Sequence, residues 1–549
     1  MEKISFEFPS GSDTFVMETG IIAKQAGGAV LVYRNGLTLL CAATGSRDPR
    51  EGIDWFPLTC DYEERFYAAG KFPGGFIKRE GRPSEQSILI SRRIDRPIRP
   101  LFPDDFHNDV QIIVTAMSQD NEQVPDVFAI LGASCALALS DIPYQKPIGA
   151  VRLGYIDGQY IYNPTFQQLN DSSMNLLVAG TYDRINMIED ESNEVTEEVI
   201  LEGMRLAHEE IKKQIDVIRS FAEKHGKAKF TYTGDAQLDP AVHERLHALA
   251  QPRIEEMIPE NAKIELYQGI KDLTKSVAAT IAAEFPDADI KAVKTHVHHL
   301  VKKYMRRKAM DGTRVDGRDY TTVRPLAGMI DFLPRVHGSA MFQRGQTQVI
   351  SAVTLGSSAD RQRIDTVNVS DTKRYSHHYN FPPFSVGEVR PLRGAGRREI
   401  GHGMLAEKAL VPVLPTEESF PYTMRVVSEV TESNASSSMA SACASSMALM
   451  AAGVPLTRPV GGISIGLVTE GDEYRLLMDL NGFEDHNGDM DFKVTGTSEG
   501  ITAIQLDVKI EGLTLEMIRE TLELAKTGRF QVLEQMAAII NAPRTQISE

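Results

Sequence analysis

The chain has 549 residues, too many for one hydrophobic core, so two to four domains are expected. Hydrophobic residues at 42% and charged residues at 24% are the balance of a folded globular protein, which excludes a disordered or low-complexity chain. The net charge of −16 excludes nucleic-acid binding over the whole surface and confines any RNA contact to local basic patches.

The N-terminal MEKISFEFPSGSD carries acids and no apolar h-region, and no apolar run reaches the length of a membrane span. A cytoplasmic protein with no membrane contact is predicted. Cys41, Cys60, Cys135 and Cys443 lie far apart with no CxxC pair, which argues against a zinc ribbon or a disulfide framework and for buried thiols.

In chain order, one domain is written twice. GGAVLVYRNGLTLLCAATGS from Gly27 resembles GSAMFQRGQTQVISAVTLGS from Gly338; with two single-residue gaps, Ala29 matches Ala340, Arg34 matches Arg344 and Thr38 matches Thr347. Each reads as a hairpin with a Gly-containing turn. GASCALALSDIPYQKPIGAVRLG from Gly132 matches ASSMALMAAGVPLTRPVGGISIG from Ala444 at an offset of 312 (455 − 143 at the prolines). Both predict a helix of small residues that stops at a proline and leads into a strand. MNLLVAGT from Met174 matches MDFKVTGT from Met490. Each copy closes on a long amphipathic helix: Ile200, Met204, Ala207, Ile211, Ile215 and Ile218 keep helical spacing, and the second runs from about Leu513 to Ala542. This is an α+β fold.

Between the copies, Leu238 to Met310 shows helical periods and no strand, with Pro240 and Pro259 near helix starts and Pro286 between two helices. Its last helix carries Lys302, Lys303, Arg306, Arg307 and Lys308, read here as a solvated face. The domain limits are placed at 1–228, 236–310 and 311–549.

The densest chemistry lies in NGFEDHNGDMDFKVTGT from Asn481, which holds Glu484, Asp485, His486, Asp489, Asp491 and Lys493. Asp489, Asp491 and Lys493 alternate with Met490, Phe492 and Val494, so a strand would bury the apolar side and present two acids and a lysine. Hard oxygen ligands beside a lysine suit Mg²⁺ or Mn²⁺ with a phosphate group better than zinc. The plain alternative is a solvated acidic turn. The internal copy separates the two readings. Asn175 stands at the place of Asp491 and Leu177 at that of Lys493, so the fold does not need those charges.

In TESNASSSMAS, Ser436, Ser437 and Ser438 open a small-residue helix, whose N-terminus is suited to phosphate. Simple serine capping is the alternative. In the first copy the triplet aligns with Val124, Pro125 and Asp126, and an aspartate would repel phosphate. The second half thus reads as competent and the first as retired from chemistry. VRPLRGAGRREIGHG adds Arg390, Arg393, Arg397, Arg398 and His402; arginines bind phosphate bidentately. In the first half, KFPGGFIKREGRPSE carries Phe76, Lys78, Arg79 and Arg82, an aromatic beside cations on a glycine-hinged loop, the composition of a single-strand RNA contact. HHYNFPPFSVGE is read as a packed loop with no direct role. Asp507 and Lys509, also at spacing two, are read as support for the site.

These motifs, with RPIRPLFP, together resemble the bacterial polynucleotide phosphorylase family over essentially the whole chain, each half resembling an RNase PH domain. The resemblance implies a ring-shaped homotrimer with a central channel, joined in RNA-degradation complexes and acting in mRNA decay. It implies phosphate-dependent 3′-to-5′ degradation of single-stranded RNA to nucleoside diphosphates, reversible as polymerisation, with Mg²⁺ or Mn²⁺. Carried over by motif, Ser436, Ser437 and Ser438 would hold phosphate, and Asp485 and Asp491 the metal. Lys493 would offset phosphoryl charge, Arg397, Arg398 and His402 would line the site, and Phe76, Lys78, Arg79 and Arg82 would contact RNA at the channel neck. Two departures stand out. Ile77 occupies a neck position that often holds a second aromatic. The chain ends in PRTQISE at Glu549, where the family continues into KH and OB-type RNA-binding modules, so weaker RNA capture by an intact core is expected. A hydrolytic metal-dependent exoribonuclease and a non-catalytic RNA-binding ring are the rival readings.

Overall fold

The computed structural model describes all residues except 1–2, 12, 51, 54, 235–236, 259–262, 368–369 and 548–549. Pro259, the last two residues of PRTQISE and the domain limit at 236 lie outside the described residues.

Each copy contains, after its first strands, an antiparallel hairpin. Gly28–Arg34 pairs with Leu37–Ala43, and Gly338–Arg344 pairs with Thr347–Val353, each closed by a two-residue turn. The two hairpins have the same register at one constant offset of 310 (344 − 34). The match of Arg34 to Arg344 stands, but Ala29 with Ala340 and Thr38 with Thr347 are each one residue out of register. A one-residue slip would turn each strand's core side chains to the opposite face, so the gaps are not tolerated. The glycines that open the hairpins have a steric cause. A Cβ on Gly28 would run into the Ala136 carbonyl, and one on Gly338 into the Ala448 carbonyl. These carbonyls belong to the helices Asp126–Leu139 and Ser437–Ala451, whose residues are all buried.

The offset of 312 recurs as one hydrogen bond made twice. Ser134 Oγ accepts from the Ile148 N–H at 2.9 Å, and Ser446 Oγ accepts from the Val460 N–H at 2.9 Å. Each anchors the start of the strand that follows, Gly149–Ile156 or Gly461–Glu470.

The later strands of both copies merge into one eight-stranded sheet. Its order is Glu473–Met478, Gly461–Glu470, Met490–Gly496 and Ile501–Val508 from the second copy, then Ile185–Val195, Met174–Gly180, Gly149–Ile156 and Gln159–Tyr162 from the first. The copies meet where Ile188 pairs with Leu506. The helices Glu197–His225 and Leu515–Ile539 complete the copies, and Ile200, Met204, Ala207, Ile211, Ile215 and Ile218 are all buried.

Between the copies, the helices Pro240–Met257, Lys263–Glu284 and Ile290–Met310 pack together. Their core also takes in Val468, Leu477 and Phe483 of the second copy. Arg306 is not part of a solvated face: its guanidinium donates to Asp489 at 2.6 and 3.0 Å, and Asp489 also accepts from the Thr469 N–H and hydroxyl, each at 2.8 Å. This removes Asp489 from the acidic platform. It precedes the strand and ties the helical insert to the second copy.

Candidate functional site

A cleft of about 1070 Å³ opens where the second copy meets a helix of the first. Its floor is the strand Met490–Gly496. Phe492 and Val494 are buried, and burial of such side chains contributes about 2 kcal/mol each. That leaves Asp491 and Lys493 directed to the cleft, as the alternation foresaw. Lys493 Nζ lies 2.6 Å from Asp491 and 3.2 Å from Asp507 on the neighbouring strand. Burial pulls the Lys493 ammonium down, but Asp491 and Asp507 outweigh it and its pKa is raised. Burial raises the Asp491 carboxyl, Lys493 opposing it and Asp485 adding to it. Asp491 Oδ1 is buried without a hydrogen-bond partner.

Asp485 is half-exposed on the short helix Gly482–Asn487. Its neighbour Glu484 is a structural residue, paired with the buried Arg314 at 2.8 Å. The helix is pinned to the serine loop because the Gly482 N–H donates to Asn434 Oδ1 at 2.8 Å. A Cβ on Gly482 would lie 2.6 Å from that oxygen, so a larger residue there would push the Asn434 side chain aside.

Ser436, Ser437 and Ser438 line the same cleft. Serine capping does not explain them: Ser436 makes no side-chain cap and sits in left-handed backbone at φ 59°. Ala435 before it has φ 66°. Two successive non-glycine residues in this region are strained and expose backbone N–H groups at the helix start. Ser436 Oγ hydrogen-bonds Ser464 Oγ, Ser437 Oγ hydrogen-bonds the Tyr379 hydroxyl at 2.7 Å, and Ser438 Oγ is buried without a partner. The HHYNFPPFSVGE segment therefore does have a part in the site, through Tyr379.

His402 and Arg398 line the cleft. Burial, with Arg398, Lys493 and Arg92 nearby, holds His402 well below its ordinary range, so it is neutral, and its Nδ1 is buried without a partner. Arg398 stacks over Phe381 at 5.7 Å. Arg397 does not face the cleft. It donates to the Cys60 carbonyl at 2.7 Å and pairs with Asp61, so it bridges the two copies. Position explains this: Arg397 opens a helix and is one step round from Arg398, so the two arginines point apart.

Arg92 and Arg96, from the first copy's helix Glu85–Ile98, complete the wall. Arg96 donates to Asp507, to Glu189 and, at 2.6 Å, to the Leu506 carbonyl. Against burial, Arg96, Lys493 and Arg92 hold Asp507 far below the carboxylate range. Residue types alone gave no signal for Arg92 and Arg96, because they come from the half without the acids; RPIRPLFP contained Arg96 without revealing its target.

Phe76, Lys78, Arg79 and Arg82 are exposed on the segment 71–83, outside the cleft. That segment and 388–395 each follow a short turn closed by a left-handed glycine, Gly70 (φ 67°) and Gly387 (φ 71°). Arg82 approaches Gly394, so the two loops are neighbours.

The first copy's counterpart site is closed. Asp126, at the place of Ser438, is buried and pairs with Arg93 at 2.9 Å and with Arg152, which also donates to Asn175. A carboxylate of the protein itself occupies the arginines there.

Residues 14–143 and 322–455 match the 3′ exoribonuclease family (RNase PH), domain 1, and residues 146–210 and 458–528 match its domain 2. Residues 241–319 match the polyribonucleotide nucleotidyltransferase RNA binding domain. A polyribonucleotide nucleotidyltransferase of Heliobacterium modesticaldum is 47% identical over 544 residues, covering 99% of this chain and 76% of the relative. Those of Geobacillus kaustophilus and Bacillus subtilis are each 48% identical, covering 100% of this chain and 76% and 78% of the relative. With its twice-matched RNase PH domains and this identity along its whole length, the chain belongs to the polyribonucleotide nucleotidyltransferase family.

Proposed function

We propose that the cleft is where this phosphorolytic 3′-to-5′ exoribonuclease does its chemistry. The observation that carries the assignment is a set of three buried, unpartnered polar atoms, Ser438 Oγ, His402 Nδ1 and Asp491 Oδ1, on one cleft, with the corresponding place in the first copy filled by Asp126. Buried polar atoms without partners are costly unless a ligand completes them.

Inorganic phosphate sits at the helix start between Ser437 and Ser438, where backbone N–H groups and hydroxyls donate to it. One of its oxygens attacks the terminal phosphodiester phosphorus. The bond to the preceding ribose O3′ breaks, that oxygen regains a proton, and the terminal nucleotide leaves as a nucleoside diphosphate. One phosphate linkage replaces another, so the reaction runs in reverse as polymerisation. Lys493, held charged by Asp491 and Asp507, offsets the charge on the phosphoryl oxygens. Neutral His402 and cationic Arg398 orient the RNA end.

The donor set fits a hard divalent ion. Asp491 offers an oxygen with no other partner, and Asp485 is near enough to act on it electrostatically. Mg²⁺ or Mn²⁺ takes one or two carboxylates and completes its shell with water and phosphate oxygens. Such an ion would neutralise and orient those oxygens.

The reading extends to the assembly. Phe72, Phe76 and Ile77 on one loop and Val389 and Leu392 on its neighbour are exposed. Apolar side chains beside Lys78, Arg79 and Arg82 support an RNA-contacting neck in a homotrimeric ring. The same reading divides the chain at 1–228, 236–310 and 311–549, and it places the enzyme in the cytoplasm with its RNA substrate, where RNA-degradation partners would join it. Phosphate binding by calorimetry tests the site: Ser438→Asp, which copies the first half, should abolish the heat of binding, and undiminished binding would move the phosphate elsewhere.

A further inference from the structure

The phosphate and metal positions fill only part of the cleft; its outer wall comes from the helical insert. Tyr267, Gln268 and Lys271 on the helix Lys263–Glu284 line it. Tyr267 and Lys271 are four residues apart and so share a face, while Leu266, Ile270, Leu273 and Val277 are buried in the insert's own core. The cleft-facing stripe is therefore free to meet a ligand. Tyr267 is 38% exposed, and one edge of its ring rests on Phe483, centroids 6.3 Å apart, on the short helix that carries Asp485.

We infer that Tyr267 and Lys271 form the nucleoside subsite of this reaction: the Tyr267 ring packs against the terminal base or ribose of the RNA, and Lys271 offsets a phosphodiester. This rests on the phosphorolytic reading and adds to it two named residues of the insert, whose span matches an RNA binding domain, at the cleft itself. An aromatic face accepts any base, and a lysine one helical turn away follows the backbone, so the subsite holds RNA without reading its sequence. Because Phe483 seats the ring, the nucleoside is fixed relative to Asp485 and hence to the reacting phosphoryl.

The test is steady-state phosphorolysis of a short oligoadenylate by the whole chain with Mg²⁺, varying RNA, phosphate and Mg²⁺ in turn. Tyr267→Ala should raise KM for RNA by about tenfold, with KM for phosphate and the Mg²⁺ requirement within about twofold, and Tyr267→Phe should restore KM for RNA. Exposed Lys271 lies outside the core, so Lys271→Gln provides a variant whose folding is not at stake; it should raise KM for RNA and flatten its salt dependence. An unchanged KM for RNA in both variants would overturn the inference. So would parallel rises in the phosphate and Mg²⁺ requirements of Tyr267→Ala, which would make the ring a prop for Asp485. Absence of phosphate-dependent product from the unmodified chain would instead defeat the underlying reading.

Discussion

Arg96 donates through Nε to Asp507, 411 residues further along the chain, and Asp507 accepts in turn from Lys493 Nζ at 3.2 Å. The converse pair is present: Lys408 lies 3.3 Å from Glu191. The cations are related by the copy offset of 312 (408 − 96) and the acids by 316 (507 − 191). Each copy lends a cation to the other's strand across the shared sheet. The half without Asp485 and Asp491 is thus built into the candidate site.

Replacing Arg96 with alanine removes its donors to Asp507, Glu189 and the Leu506 carbonyl together. Leaving these part-buried carboxylates short of a partner costs about 2 kcal/mol, between the cost for exposed and for fully buried pairs. Urea unfolding should show a loss of that order, and kcat/KM should fall at least about tenfold as Lys493 loses its fixed position.

Asp491→Asn should lower kcat by about a hundredfold or more while leaving the thermal midpoint within a few degrees, measured by product release and by calorimetry. The fold accepts asparagine here because Asn175 occupies the equivalent place in Met174–Gly180. Unfolding of the variant would make the acid structural.

Ser438 Oγ has no partner to lose. Ser438→Ala should therefore leave stability nearly unchanged. Losing a hydrogen bond to a charged group costs about 1.5–3 kcal/mol, so KM for phosphate should rise roughly tenfold to a hundredfold. Initial rates at varied phosphate measure it.

Burial raises the Asp190 carboxyl to about 7, Ser192 opposing, and its Oδ2 has no partner. Its unfolded value is about 3.9. The folded state therefore binds the extra proton between these values, so this contribution is fully present below about pH 4 and is lost as the pH rises through 7. Asp190→Asn stays neutral throughout. Its stability relative to the parent should grow by about 4 kcal/mol from pH 4 to pH 8, read from denaturation curves at both.

The duplication was legible where a shared residue does the same work in both copies, as Ser134 and Ser446 do on the strand starts, while the equivalence of Gly28 with Gly338 against the helix carbonyls came only from the strand register. The strand face of Asp491 and Lys493 was legible from period two, with Phe492 buried behind it. Asp489 misled because the same period continued past the strand's end, where Arg306 from a distant helix claims it. Arg92, Arg96 and Tyr267 were not legible, since each reaches the cleft from another part of the chain and nothing in its local pattern records the target. Tyr379 was hidden by its surroundings, in a segment whose aromatics read as packing.

Digestion of a short single-stranded RNA with Mg²⁺, with and without inorganic phosphate and with products separated by charge, tests the central claim most directly. Nucleoside diphosphates released only when phosphate is present are the expected result. Nucleoside monophosphates released at the same rate without phosphate would contradict it.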